Sequence, residues 1–149
     1  MKAYKEYNDQ LLKDYRIDLR VITTNSNDDI NTFANKAFGV FKKEKTTQSG
    51  RALLLVINAK HNLVRLEVSM ALEPIYTDAF VSFIERQHMV RFFRDNRLDE
   101  GIFATTETMY SRARKAAEGK EFMTDMPSES IGGGAKRSAD IGEKKLNVL

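Results

Sequence analysis

Ala52-Leu53-Leu54-Leu55-Val56-Ile57, a break from Asn58 to Asn62, then Leu63-Val64-Arg65-Leu66-Glu67-Val68-Ser69-Met70: this run decides the fold. The first half is apolar at every position, which marks a strand buried on both faces, mid-sheet with helices above and below. The second half alternates. Its polar face, Arg65, Glu67 and Ser69, predicts a strand that is partly exposed. The short turn between them makes the two strands antiparallel.

Upstream, residues 16–23 alternate with Ile17, Leu19 and Val21 on one face, giving another strand. Thr24-Asn25-Ser26-Asn27 is turn chemistry, and Ser26 or Asn27 is placed to cap the next helix. Ile30, Phe33, Ala34, Ala37, Phe38 and Phe41 then recur at helical spacing, the clearest amphipathic helix in the chain. Strand, helix and strand in that order favour a right-handed parallel crossover. Tyr4, Tyr7, Leu11 and Leu12 predict a first helix, and residues 45–50 a loop. Downstream, Phe80, Phe83 and Ile84 predict a helix over residues 77–87. A final helix over residues 98–117 carries Leu98, Ile102, Met109 and Ala113 on one side, with Asp99 and Glu100 in its first turn, where the helix dipole favours them. The expected fold is α/β: a three-layer αβα sandwich around a small mixed sheet, a βαβ crossover followed by an antiparallel hairpin.

At 149 residues the chain is most simply one folded domain, residues 1–118, followed by a flexible tail, residues 119–149. The tail holds five of the eight glycines, including Gly132-Gly133-Gly134, and its five basic and five acidic residues cancel, so the formal charge of +3 belongs to the folded part. The absence of cysteine excludes disulfides, zinc-thiolate sites and a cysteine nucleophile. No apolar run approaches the roughly 18 residues of a membrane span, and Met1-Lys2-Ala3-Tyr4-Lys5-Glu6 does not read as a secretory leader. Membrane association is expected only through segments outside this chain.

The strand directions sort the acidic residues into two groups. Asp28 and Asp29 come after the first strand, at the carboxyl end of the parallel pair. Glu73 and Asp78 come after the third strand, which runs the other way, so they belong to the opposite end. A central strand spanning about 23 Å separates the groups, which therefore cannot share a ligand. Asp28-Asp29 reads as a cap and dipole complement or as an alternative cation site; two carboxylates there repel an anion and argue against phosphate binding. Glu73 and Asp78 read as a loop charge and a helix opener, or as oxygen ligands for calcium or magnesium. His61 and His88 have no partner at metal-ligand spacing. Arg86, Arg91, Arg94 and Arg97 gather around Phe92-Phe93, a solvated basic face or an interaction surface.

The order of these features resembles the TPM domain family. The likeness is carried by Gly50-Arg51-Ala52-Leu53-Leu54-Leu55-Val56, Leu63-Val64-Arg65-Leu66-Glu67-Val68, Leu72-Glu73, Thr77-Asp78 and Gly101-Ile102. It covers roughly residues 11–117. The resemblance implies a compact α/β sandwich, usually secreted or tethered to a membrane, with an acidic calcium site and an acid-phosphatase activity. Glu73 and Asp78 match the family's Leu-Glu and Thr-Asp positions. Elsewhere the chain departs. Ser69-Met70-Ala71 stands where a Gly-aromatic-Gly is usual, Gln48-Ser49 where acidic or amide residues are usual, and Asn96-Arg97-Leu98 where Gly-Asp-Tyr is usual. Arg97 in an aspartate position opposes a cation directly. The resulting expectation is a non-catalytic or weakly active module that binds a protein partner in the cell envelope. The alternatives are a calcium- or magnesium-dependent acid phosphatase and a weak binder of nucleic acid or anionic surfaces; nucleic acid is not the expected partner.

Overall fold

The computed structural model describes residues 3–44 and 50–119. Among them, α1 spans Ala3–Tyr15, β1 Asp18–Thr24, α2 Ile30–Lys42, β2 Ala52–Asn58 and β3 Leu63–Val68; α3 (Asp78–Phe83), a π turn (Ile84–His88), α4 (Val90–Arg94) and α5 (Leu98–Ala117) complete the order. The tail from residue 120 onward and most of the 45–50 loop lie outside the described residues.

The sheet has the order β1-β2-β3. β1 runs parallel to β2, from Asp18 opposite Ala52 to Thr24 opposite Asn58. β3 runs antiparallel to β2, from Leu53 opposite Val68 to Asn58 opposite Leu63. Every residue of β2 is buried, and its alternation divides the protein into two cores. Ala52, Leu54 and Val56 face Ile30, Ala34, Phe38 and Phe41 of α2. Leu53, Leu55 and Ile57 face the larger core, which takes in Leu11 of α1, Phe80 and Phe83 of α3, and Ile102, Met109 and Ala113 of α5. An apolar side chain taken fully out of water contributes about 1.5–3 kcal/mol, so β2 anchors both helical layers. The three-layer α/β sandwich with a mixed sheet is the architecture its apolar run predicts.

Three elements differ from the pattern. The first strand begins at Asp18 because Arg16 takes a left-handed conformation (φ 58). There it ends α1, with Arg16 N–H donating to the Leu12 carbonyl (3.0 Å), the αL cap, and Ile17 N–H reaching back to the Leu11 carbonyl (3.1 Å). β3 stops at Val68 because Ser69 turns inward. Its hydroxyl accepts from Ala52 N–H (3.0 Å) and donates to the Gly50 carbonyl (2.8 Å), and the chain leaves in a short 3-10 turn at Met70–Leu72. The single helix expected over residues 77–87 is broken. After the six residues of α3 the backbone widens into the π turn and restarts as α4, which brings Ile84, Glu85, His88 and Met89 all to the inside.

Candidate functional site

A cleft of about 660 Å³ opens at the carboxyl end of the parallel pair. One wall is the start of α2, the floor is the β2–β3 turn with the beginning of β3, and the other wall is the π turn. Asp28, Asp29, His61, Arg65, Glu85 and Arg86 supply its charged and titratable groups.

The α2 wall is built by local capping. Asp29 is the N-cap: its carboxylate accepts from Thr32 N–H at 2.9 Å and from the Thr32 hydroxyl at 3.2 Å. The Ser26 hydroxyl accepts from Asp28 N–H at 3.0 Å, holding the preceding turn. Asn58, the last residue of β2 and 2% exposed, locks this loop to the hairpin. Its amide donates to the Ser26 carbonyl (2.8 Å) while its side-chain oxygen accepts from His61 N–H (3.2 Å). The His61 ring lies 3.0 Å from the Asn27 side-chain oxygen, so the two loops meet at both backbone and side-chain level.

The opposite wall carries a buried carboxylate. Glu85 is 8% exposed. One of its oxygens accepts from the Leu66 N–H of β3 at 2.9 Å and lies 3.8 Å from the Arg65 guanidinium. That contact blunts an edge strand whose free donors would otherwise pair with another chain. Burial pushes the Glu85 carboxyl above its ordinary range, opposed by the Leu66 hydrogen bond and the nearby guanidinium groups of Arg65 and Arg86. Arg65 also donates to Glu67 at 3.1 Å. Arg86 is different: its Nε and Nη1 are enclosed and have no hydrogen-bond partner. Burial pulls its pKa down, with Glu85 in partial compensation, yet an arginine stays charged at neutral pH.

The other candidate residues lie elsewhere. Ser69 joins Gly50 and Ala52 at the amino end of β2, so Glu73 and Asp78 belong to the end of the sheet opposite the cleft. Both are exposed. Glu73 closes the 3-10 turn, and Asp78 opens α3 behind Thr77, whose hydroxyl accepts from Phe80 N–H at 3.3 Å. Asp28 and Asp29, both exposed, line the cleft. Among the described residues no group of three or more histidine, aspartate or glutamate side chains comes together as a metal-ion site. The four arginines do not form one patch. Arg86 lines the cleft, while Arg91, Arg94 and Arg97 are exposed. Arg91 and Arg97 both sit over the Phe92 ring, at 5.0 and 5.3 Å. Arg97 pairs with Glu100 at 2.8 Å and Asp95 at 3.6 Å, and Arg94 with Asp95 at 3.7 Å.

Two buried residues escaped the sequence pattern. Arg112, 2% exposed, donates from Nε to the Ile75 carbonyl (2.6 Å) and lies 4.5 Å above the Phe80 ring. It clamps the segment between Glu73 and Asp78 onto α5, helped by the Tyr76 hydroxyl, which donates to the Met109 carbonyl at 2.7 Å. Its signal was its place on the Ile102-Thr105-Met109 stripe at helical spacing. Glu85 had no such signal, because only the widened turn carries it inside.

A mixed three-stranded sheet between one helix and several, with a charged cleft at the end of its parallel pair, defines an α/β sandwich domain. The sequence model of the TPM domain matches residues 2–112, and the chain belongs to that family. Two solution structures share the fold. The BA42 protein of the psychrophilic bacterium Bizionia argentinensis is 16% identical with a TM-score of 0.64, over 76% of this chain and 78% of that one. The N-terminal domain of a P. gingivalis protein is 20% identical with a TM-score of 0.65, over 79% and 78%. No curated protein sequence matches.

Proposed function

We propose that this TPM domain is a non-catalytic binding module, one that docks a protein partner in assembly or maintenance of a complex of the cell envelope. The observation that supports it is where the fold buries its charge. Glu85 is buried and Arg86 half-buried in the wall of a cleft, whereas Glu73 and Asp78, the family-matched pair, stand exposed on separate local turns. Phosphate-ester cleavage needs a nucleophile or a metal-activated water, together with clamps on the phosphoryl oxygens. A binding site needs only a shaped surface with polar groups awaiting partners.

The test is hydrolysis of p-nitrophenyl phosphate by the purified chain, from acid to neutral pH, with and without calcium or magnesium. Turnover at the level of spontaneous hydrolysis is expected. Metal-dependent turnover that Glu73→Ala abolishes, with the amide NMR spectrum otherwise preserved, would replace this reading with the phosphatase one.

A further inference from the structure

We propose that the cleft between the start of α2 and the π turn binds a polypeptide segment carrying an acidic and a basic side chain close together. The acid meets Arg65 and Arg86, and the base meets Asp28 and Asp29. This names the partner chemistry for the binding module and rests on that reading.

Three features converge on the site. Its α2 wall carries only aspartates, while β3 and the π turn carry two arginines with Glu85 beside them. Its volume of about 660 Å³ admits more than one side chain, within the range of roughly 300–1,000 Å³ usual for ligand clefts. Arg86 holds two enclosed guanidinium nitrogens without partners, an arrangement that lowers stability unless something else requires it. Arg86 already lines the cleft, and engaging a ligand there breaks no hydrogen bond of Nε or Nη1.

The backbone supports the same conclusion. The π turn is a rare distortion that recurs at functional sites, and it is this turn that buries Glu85 and sets Arg86 beside it in the cleft wall. Glu85 occupies the outward Leu66 N–H, so a segment lying along β3 is recognised there through its side chains. The sign of the charges selects the ligand. Three carboxylates (Asp28, Asp29, Glu85) and two guanidinium groups (Arg65, Arg86) line the cleft, a balance that repels a phosphate dianion and accepts a carboxylate accompanied by an ammonium or guanidinium group.

The experiment titrates the isotopically labelled full chain with a blocked peptide, glycine-glutamate-glycine-lysine-glycine, and monitors amide chemical shifts. Saturable shifts are expected at residues 27–31, 63–66 and 85–86, weakening as salt is raised. Arg86→Gln and, separately, Asp28→Asn should each weaken binding by about fivefold or more. Arg86→Gln should melt no lower than the unsubstituted chain, whereas replacing a structural arginine would lower the melting temperature. Unchanged affinity in both variants would overturn the proposal. So would inorganic phosphate or free glutamate producing the same shifts at lower concentration. Peptide shifts confined to the surface of Arg91 and Arg94 would sink this assignment and leave the binding-module reading standing. Hydrolysis that depends on Glu73 would remove that reading itself.

Discussion

His88 makes the folded protein sensitive to mild acid, and the size of the effect is set by its surroundings. The ring is 8% exposed and lies between Phe83 and Phe92, with ring centroids 5.5 and 5.9 Å away. Its Nε2 is enclosed without a partner. Burial, reinforced by the positive charge of Arg91, lowers its pKa from 6.5 to about 4. Between those two values the unfolded chain holds a proton that the folded one lacks, so stability falls as the pH falls through that window. With a folded value of about 4, the loss between about pH 7 and about pH 5 comes to about 2 kcal/mol. The assay is urea unfolding at those two pH values for the natural sequence and for His88→Leu, an apolar replacement of similar volume. The absolute stability of the variant is immaterial; the change in stability between the two pH values should be smaller in the variant by about 2 kcal/mol. Equal pH dependence in both proteins would refute the reasoning, as would a His88 ring titrating at its ordinary value by NMR.

Buried contacts set three further outcomes. Glu85 carries the opposite sign: burial raises its folded pKa, so its contribution is fully present below its unfolded pKa and is lost as pH rises through the folded one. Glu85→Gln retains an acceptor for Leu66 N–H and should remove that loss, flattening the stability profile on the acid-to-neutral limb in urea unfolding. Gly101 has no room for a side chain, since a Cβ there would lie 2.8 Å from Cβ and Cγ of Phe92. Gly101→Ala should cost about 1–3 kcal/mol by thermal or urea unfolding. Arg112→Met would leave the Ile75 carbonyl without its 2.6 Å donor and remove the cation from the Phe80 ring. A loss of about 3 kcal/mol is expected in the same assays, and a loss below about 1 kcal/mol would show that the clamp is not needed.

The layers were legible in the residue pattern. Hydrophobic period is a local property, so the unbroken apolar run of β2 and the helical stripe from Ile30 to Phe41 announce which faces must leave water, and the turn at 58–62 sets the direction of β3. Strand direction alone was enough to assign Asp28 and Asp29 to one end of the sheet and Glu73 and Asp78 to the other. Which charges go inside depends on how distant elements pack. Glu85 reads as one more surface carboxylate until the π turn rotates it against the β3 edge. Arg112 reads as part of a basic helix end until the Ile75 carbonyl and the Phe80 ring meet it from 30 residues or more away. Likewise Arg86 lies in the cleft wall within the π turn, while Arg91, Arg94 and Arg97, which follow it, stay exposed. A buried charge is held by partners distant in sequence and by the exclusion of water, and neither is written in the local spacing of residues.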